Sequence, residues 1–266
     1  MRILVLYNIA RDLKKGEEAD LICEQEITII VPLVAEALSV RGHQVETLET
    51  TFNLWEQLKA RRGSMDLVLN LAEAFGGTNA HETLVPAMLE ALVIPFTGAT
   101  THSMHLTLDK EKTKLVLGAY GIPVPKHQVF RNNQEEINPD LRFPLIVKPI
   151  REEASVGIHH DSVVVSEENL RTAITAVLEK YKQPALVEEF ITGREISVGV
   201  IGNPPDFTVF PPLEFLFPDA TSPLEQIRSY EYKWGGKKEQ MVQADLPDGV
   251  IELLASGRYP KIRQTF

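Results

Sequence analysis

The feature that most constrains the fold is a regular alternation of short apolar runs and amphipathic stretches over the first hundred residues. Residues 2–7 (RILVLY) form an apolar run that is typical of a buried parallel strand. Residues 24–40 repeat apolar side chains at helical spacing, and Gly42 suits the left-handed position that ends a helix. A helix over 81–92 and strands over 45–48, 66–71 and 94–96 are also predicted. This β-α-β order predicts a doubly wound sheet, in which ligands lie beyond the carboxyl ends of the strands.

The pattern changes after residue 98. Asp109 is predicted to cap a helix that runs to about Tyr120, and Ser166 to cap a second, amphipathic helix. Strands are predicted over 143–149, 162–165, 185–190 and 194–202. Strand pairs crossed by helices predict an α+β unit that packs antiparallel sheet against helix. The predicted domains are 1–98, 99–184 and 185–266.

Residues 203–245 are rich in proline, glycine and charged side chains. A loop of this length in a compact domain is usually a functional lid or a disordered segment, and both remain open for this stretch.

Composition excludes several classes of protein. A formal net charge of −10 argues against a general nucleic-acid partner, because neutralising phosphates needs clustered Lys and Arg. No apolar run approaches the roughly 18 residues that a membrane span needs, and the apolar start of the chain is too short for a signal peptide. Cys23 is the single cysteine, which excludes an intramolecular disulfide and is expected to be a buried small hydrophobe. A cytoplasmic protein without a membrane partner is therefore expected.

The nucleotide motifs with fixed glycine spacing are absent. No GxGxxG follows the first strand and no GxxxxGK[ST] occurs, which disfavours a nicotinamide enzyme and a P-loop ATPase. Lys148, in contrast, lies within the apolar run LIVKP, where a buried ammonium group needs a partner. It either reaches solvent, pairs with a carboxylate or binds an anionic ligand. In the turn that follows, Ser155 and Gly157 would let backbone N–H groups approach a phosphate closely.

Three carboxylates lie near predicted strand ends. Glu188 and Glu189 end one strand, and Glu195 follows the next turn. Such groups either accept hydrogen bonds from a ribose or an adenine amino group, or are solvated surface charges. Lys110, one residue into a predicted helix, either meets a phosphate at the positive end of that helix or is an ordinary surface lysine.

Taken together, these stretches resemble the D-alanine–D-alanine ligases and their ATP-grasp relatives over residues 1–247. Six segments match in order: NLAEAFGG, VPAMLEALVIPFTGA, LDKEKTKLVLGAYGIPVP, FPLIVKPIREEASVGI, LVEEFITGREISVGVIGN and YEYKWGG. The resemblance implies an α/β and α+β architecture, with an N-terminal doubly wound (pre-ATP-grasp) domain followed by a two-lobed ATP-grasp domain that is incomplete at its C-terminal end.

The resemblance also assigns roles to positions. Two lysines would hold the ATP phosphates under the flexible loop REEASVG, while acidic and apolar residues after a strand would line the adenine and the ribose. The positions implied to bind ATP are Lys110, Lys148, Ser155, Val156, Gly157, Glu188, Glu189, Ile191 and Glu195. Tyr230, Lys233 and Trp234 match a mobile loop that covers the second substrate, and the candidates for a direct catalytic role are Lys233, Trp234 and Ser155.

The reaction implied by the family is ATP-dependent amide formation. The carboxylate of one amino acid would attack the γ-phosphate of ATP, and the amine of a second would displace phosphate from the acyl phosphate. The implied partners are small amino acids and a second copy of the chain in a homodimer.

Three positions depart from the family pattern. The N-terminal segment lacks the run that leads to a substrate-orienting glutamate, and Glu17, Glu18 and Glu24 are the alternatives. The family's Gly-Ser-Ser is replaced by Glu-Ala-Ser over 153–155, so one hydroxyl is missing. Trp234 stands where the family has tyrosine, and an indole cannot accept a proton as a phenol can.

The metal-binding part of the family pattern is unmatched. An Arg-x-Asp and a Glu-x-Asn would hold two Mg²⁺ ions, but after Asp248 only Glu252 offers a carboxylate. No metal ligand is therefore assigned, and the chain is expected to be truncated. Three hypotheses follow: the chain is a ligase of this ancestry, a non-catalytic ATP-binding protein or an inactive fragment.

Overall fold

The structure is a computed structural model that describes residues 1–11, 15–21, 25–76, 78–203 and 206–250. Its residues form two compact units. The first consists of Met1–Lys112 with Arg151–Val156 and Lys180–Lys182, and the second of Thr113–Ile150, Gly157–Glu179 and the chain from Gln183 onward. The division into domains at 98/99 and 184/185 stays a prediction. Cys23, Glu24 and Glu252 lie outside the described residues.

The first unit contains the predicted parallel sheet. Its strands are β1 (Arg2–Tyr7), β2 (Gln44–Glu49) and β3 (Leu67–Leu71), in the order β2-β1-β3. The helices of the same stretch of chain are α1 (Ile27–Val40), α2 (Leu54–Arg61), α3 (Leu84–Ala91) and α4 (Thr101–Thr107). The sequence prediction of parallel strands alternating with helices is confirmed, although α2 and α4 were not among the predicted helices.

The centre of this sheet explains the first apolar run. Ile3, Leu4, Val5 and Leu6 are all buried, because β1 has a strand on each side and its two faces are covered. The core that forms around it includes Leu4, Leu6, Leu54, Leu58, Val68, Phe75, Val85 and Leu89.

The predicted strand over 94–96 is wrong. The structure has only an isolated parallel bridge between Val68 and Phe96, with Pro95 accepting a hydrogen bond of 2.8 Å from the Val68 N–H. Proline has no N–H to donate, so the ladder cannot extend through it. The predicted helix over 81–92 begins only at Leu84 and is preceded by a 3-10 turn, Asn79–His81.

The second unit contains an antiparallel sheet against a helix. The strands β4 (His127–Phe130), β5 (Leu145–Pro149), β6 (Val163–Val164) and β7 (Ala185–Glu189) take the order β4-β7-β5-β6. In the chain, α5 (Lys110–Ala119) precedes these strands and α6 (Glu167–Tyr181) lies between β6 and β7. The apolar stripe of α6 packs on the sheet in a core formed by Leu170, Ile174, Val177, Phe130, Leu145, Val147 and Val187.

Both predicted helix caps are confirmed. The Asp109 carboxylate accepts a hydrogen bond of 3.2 Å from the Lys112 N–H at the start of α5. The Ser166 hydroxyl accepts one of 3.3 Å from the Asn169 N–H at the start of α6. Each side chain satisfies a donor that the first turn of a helix leaves without a partner.

The predicted strand over 194–202 is wrong because it is two strands in different sheets. β8 (Glu195–Ser197) and β9 (Val200–Asn203) are separated at Gly199, whose carbonyl accepts a hydrogen bond of 2.8 Å from the Phe210 N–H. A side chain at this glycine would begin 3.2 Å from the Phe210 ring. The missing side chain therefore permits the close approach at which the chain changes sheets.

The interpretation of 203–245 as a single lid loop or a single disordered segment is also wrong, because this stretch contains regular secondary structure. It contains β10 (Asp206–Val209), β11 (Leu213–Leu216), β12 (Gln240–Gln243) and the short helix α7 (Tyr230–Lys233). β10 pairs with β9 in a two-stranded antiparallel sheet, and the order β12-β11-β8 forms a three-stranded antiparallel sheet. Pro211 and Pro212 precede β11 and Pro218 follows it, at positions where no ladder N–H is needed.

Within the described ranges, no helix has both the length and the apolar character that crossing a bilayer requires.

The core of the second unit predicts a strong contrast between two leucines on helices. Leu170 in α6 is fully buried, whereas Leu115 in α5 is 60% exposed. We expect Leu170→Ala to lower the free energy of unfolding by about 2–5 kcal/mol, since it removes buried methyl groups and leaves a cavity. Urea denaturation measures this change. The matched variant Leu115→Ala should differ from the parent by about 0.5 kcal/mol or less, and equal losses in the two variants would contradict this account of the core.

Candidate functional site

The most unusual electrostatic feature of the second unit is a buried carboxylate between two lysines. Glu188, near the end of β7, is 5% exposed. Its Oε2 lies 2.6 Å from the Lys114 Nζ of α5, and its Oε1 pairs with the Lys148 Nζ of β5. Lys148 lies opposite Leu186 in the β5–β7 pairing, so Glu188 is its diagonal neighbour on the same face. Of the alternatives for Lys148, the structure shows pairing with a carboxylate.

The two ammonium groups keep Glu188 ionised. Burial alone would raise the pKa of this carboxyl, but the charges and hydrogen bonds of Lys148 and Lys114 outweigh it and hold the pKa below its usual value. The three paired groups carry one negative and two positive charges. Since the lysine side chains are only 15% and 18% exposed, the excess positive charge is poorly hydrated. An anion placed here would compensate it.

Glu195 lies on β8 in a different environment. Burial raises the pKa of its carboxyl, against the smaller opposing effects of a backbone hydrogen bond from Arg228 and of the charges of Arg228 and Lys148. The Arg228 guanidinium itself makes two hydrogen bonds of 3.0 and 2.8 Å to Glu239 and lies 4.0 Å from the centre of the Phe215 ring. Glu195 is thus a partly buried acceptor, and the guanidinium of its neighbour Arg228 is paired with Glu239. A carboxylate in this environment suits hydrogen bonds from ligand hydroxyl groups.

The residues after β7 combine a fixed backbone with an exposed side chain. The Glu189 N–H donates to the Lys126 carbonyl at 2.9 Å, and its carboxylate accepts the Arg142 N–H at 3.1 Å. Ile191 follows with 70% of its surface exposed. This segment therefore offers an apolar side chain next to a hydrogen-bonded strand end.

The loop over 153–157 has a strained backbone. Ala154 and Ser155 have φ values of 53° and 65°, in the left-handed region that residues with a side chain rarely adopt, and Gly157 follows at 73°. The Val156 N–H closes a tight turn on the Glu153 carbonyl at 2.9 Å. Strain of this kind costs about 1 kcal/mol or more per residue and clusters at ligand-binding loops.

Lys110 lies in the first unit. Its Nζ binds the backbone carbonyl of Glu152, whose carboxylate pairs with Lys15. Next to it, Arg151 lies 3.0 Å from the Asp109 carboxylate that caps α5. Lys110 and Lys148 belong to different units. The predicted convergence of these two lysines on one triphosphate stays a prediction.

The predicted lid residues follow Ser229 in and after α7. The Glu231 carboxylate links α7 to His159, which follows the loop over 153–157. One carboxylate oxygen lies 2.9 Å from the His159 Nδ1, and the other accepts a hydrogen bond of 2.6 Å from the Ser229 hydroxyl. The Tyr230 N–H donates to the Ile158 carbonyl at 2.7 Å, and its ring centre lies 5.3 Å from that of His159. These contacts hold α7 against residues 158–159.

The side chains of Lys233 and Trp234 lie together at the end of α7, with the Lys233 Nζ 5.8 Å from the indole ring centre. The Trp234 N–H donates to the Tyr230 carbonyl at 2.8 Å. Both positions are therefore presented by the short helix that Glu231 anchors.

The glutamates considered for orienting the substrate have diverse environments. Glu17 pairs with Lys180, Glu18 is exposed, and Glu24 lies outside the described residues. The most buried carboxylate of this segment is instead Asp20, which accepts hydrogen bonds of 2.8 Å from the Glu17 N–H and 3.2 Å from the Tyr181 hydroxyl. The choice among the three glutamates stays open.

Sequence reasoning missed Lys114, Glu231 and His159. Lys114 had a signal, since it lies one helical turn after Lys110, but the helix is rich in lysine and no local pattern separates Lys114 from Lys112. Glu231 and His159 are 72 residues apart in the chain, and nothing in either segment indicates the other.

No metal cluster is present in the part of the chain that the structure describes: His, Cys, Asp and Glu form no group of three or more arranged to hold an ion.

Comparison with known sequences finds a matching family model and several similar proteins. The sequence model of the family described as D-ala D-ala ligase C-terminus matches residues 116–256. The chain is 36% identical over 203 residues to an uncharacterized protein of Sinorhizobium fredii, covering 73% of this chain and 58% of that protein. It is 34% identical over 213 residues to the D-alanine–D-alanine ligase of Haemophilus ducreyi, covering 79% of this chain and 64% of that protein. The chain thus spans about 60% of the length of such relatives.

Solved structures share the fold. The D-alanine–D-alanine ligase of Bacillus anthracis complexed with ATP aligns with a TM-score of 0.62 at 20% identity, over 96% of this chain and 75% of that one. The VanG D-Ala:D-Ser ligase of Enterococcus faecalis aligns with a TM-score of 0.64 at 18% identity, over 96% of this chain and 81% of that one. The chain has the mixed α/β, ATP-grasp architecture of these proteins and is shorter than they are.

The contacts of Glu231 predict a pH dependence. Burial opposes ionisation, but hydrogen bonds from Ser229, its own backbone N–H and His159 lower its pKa from 4.5 to about 2. A depressed carboxyl pKa stabilises the fold above pH 4.5, and this contribution is lost as the pH falls toward 2. We therefore expect Glu231→Gln to be less stable than the parent at pH 6, with a difference that shrinks by pH 3.

Chemical denaturation at pH 6, 5, 4 and 3 measures that difference. Glu179→Gln, at an exposed position on α6, is the control and should follow the parent at every pH. A stability difference for Glu231→Gln that stays constant from pH 6 to pH 3 would exclude the assigned contacts.

Proposed function

The chain belongs to the D-alanine–D-alanine ligase family of ATP-grasp proteins, and from this premise we propose that it is an ATP-dependent carboxylate–amine ligase. The observation that supports the proposal most directly is the buried cluster of Lys148, Glu188 and Lys114, with its one excess positive charge. A site of this kind favours a multiply charged anion over a neutral ligand.

ATP is the proposed anion. Lys148 and Lys110 would bind its phosphates, and the backbone N–H groups of the loop with Ser155, Val156 and Gly157 would close over them. Glu188, Glu189 and the exposed Ile191 would line the adenine. Glu195 would accept hydrogen bonds from the ribose hydroxyls.

In the proposed reaction, a carboxylate oxygen of one amino acid attacks the γ-phosphorus of ATP and ADP leaves. The amine of a second amino acid then attacks the resulting acyl phosphate, its proton is lost and inorganic phosphate departs, which leaves an amide. The lysines contribute by neutralising charge that develops on the phosphoryl oxygens. Enclosure by the α7 segment with Lys233 and Trp234 would protect the acyl phosphate from water.

The described residues do not supply the carboxylate cluster that Mg²⁺ binding requires in such sites. No step of the proposed reaction is therefore assigned to a protein-bound metal ion. Mg²⁺ enters the proposal only as the ion that accompanies ATP in solution.

The substrates are proposed to be two small amino acids. Relatives are named D-alanine–D-alanine ligase, and one structural neighbour is a D-Ala:D-Ser ligase, so the second amino acid varies among proteins of this fold. Ala154 and Trp234 stand where the family resemblance places a serine and a tyrosine, so two hydroxyl groups near the proposed substrates are missing. We therefore propose an amino-acid pair other than two D-alanines. The cytoplasmic location and the homodimer stay predictions.

The test is release of ADP from MgATP by the purified 266-residue chain with pairs of D- and L-amino acids, with the dipeptide detected by mass spectrometry. We expect release that depends on a particular amino-acid pair. Lys148→Met should lower kcat/KM about a hundredfold, because it removes a cation from the phosphoryl group. Lys59→Met, at a position 62% exposed on α2, should leave the rate unchanged.

Two other outcomes contradict the proposal in different ways. ATP binding without turnover for any amino-acid pair would favour a non-catalytic nucleotide-binding protein. Absence of ATP binding would exclude both, because each requires the lysine cluster to hold a triphosphate.

A further inference from the structure

We infer that Lys114 is a positioning residue: it neutralises Glu188, so that Lys148 can leave this carboxylate for a phosphate oxygen of ATP. The inference rests on the proposed function and extends it to a residue to which the family resemblance assigns no role. Lys114 would not touch the nucleotide. It would act through the partner that it shares with Lys148.

The geometry gives each lysine its own oxygen. The Lys114 Nζ lies 2.6 Å from the Glu188 Oε2, while the Lys148 Nζ pairs with the Oε1 of the same carboxylate. Lys114 approaches from α5 and Lys148 from β5, so the two contacts come from separate elements. Loss of the contact with Lys148 would therefore leave the contact with Lys114 in place.

Burial is what makes the second lysine necessary. At 5% exposure, water cannot replace a lost counter-charge on the Glu188 carboxylate. With Lys148 as its only partner, any movement of Lys148 toward a phosphate would leave an uncompensated buried anion, which is strongly unfavourable. Lys114 removes this penalty, because the carboxylate keeps one ammonium group throughout.

Without Lys114, the same carboxylate would compete with the nucleotide. Glu188 would hold Lys148 as a buried ion pair, and ATP would have to break that pair in order to bind. The expected consequence is a weaker affinity for ATP with little change in the rate of the bound complex. A lysine that only stabilised the fold would instead change the melting temperature and leave the affinity of the folded protein unaltered.

The experiment measures the Kd of MgATP by calorimetry, and KM and kcat for ATP, in the whole chain. Lys114→Met should raise the Kd and the KM about tenfold or more, since ATP must then disrupt a buried ion pair. Its kcat at saturating ATP should stay within about threefold of the parent value, because Lys148 reaches the phosphates once ATP is bound. The matched control is Lys112→Met in the same helix, whose side chain is 54% exposed, and it should bind ATP as the parent does.

Two further variants separate positioning from folding. Lys114→Arg keeps the charge and should retain the affinity of the parent. In the double variant Lys114→Met with Glu188→Gln the buried anion is gone, so it should bind ATP about as well as Glu188→Gln alone. If Lys114→Met fails to fold because its buried carboxylate keeps a single counter-ion, the double variant, which lacks that carboxylate, provides the test.

The outcomes distinguish this inference from the proposed function. If the parent binds ATP and Lys114→Met binds it equally well, the positioning role is wrong and the proposed function stands. If the double variant binds ATP at least tenfold more weakly than Glu188→Gln alone, the positioning role is also wrong, because Lys114 then acts without Glu188. If the parent itself binds no ATP, the proposed function fails first.

Discussion

The second unit depends on the compensation of one buried carboxylate by two ammonium groups. Glu188 projects from near the end of an inner strand of an antiparallel sheet and is buried there, so that an uncompensated charge would be strongly destabilising. Lys148 and Lys114 both reach it, and together they exceed its charge by one. The same arrangement that permits a charge in this position gives the three side chains a net charge of +1. Structural stability and the proposed recognition of a triphosphate therefore arise from the same three side chains.

The chain as a whole is acidic, with a formal net charge of −10, yet this cluster is locally positive. Net charge governs solubility and long-range attraction, whereas binding of a phosphate depends on a few groups at short distance. Glu195 illustrates the same principle with the opposite sign. The side chain of its nearby cation, Arg228, makes two hydrogen bonds to Glu239, while the Arg228 backbone N–H donates to the Glu195 carboxylate.

Polar contacts hold the short helix α7 in place. α7 has four residues, too few to be stable by itself, and Glu231 with Ser229 and His159 fixes it to residues 158–159. The loop before that attachment has two left-handed residues, Ala154 and Ser155. The strained loop and the short helix α7 are elements that a ligand can rearrange at modest cost. This agrees with the proposal that the loop closes over the phosphates and that the α7 segment encloses the acyl phosphate.

The sequence by itself determined the elements that short-range patterns specify: the buried strand β1, the apolar stripe of α6, the caps at Asp109 and Ser166, and the need of Lys148 for a partner. Periodicity and capping act within a few residues, so they can be recognised locally. Only the tertiary structure decided that Lys114, and not Lys112, meets Glu188, that the chain changes sheets at Gly199, and that Glu231 meets His159. These outcomes depend on which distant segments approach one another, because the free energy of a buried charge or a strand pairing depends on its partner and not on its neighbours in the chain.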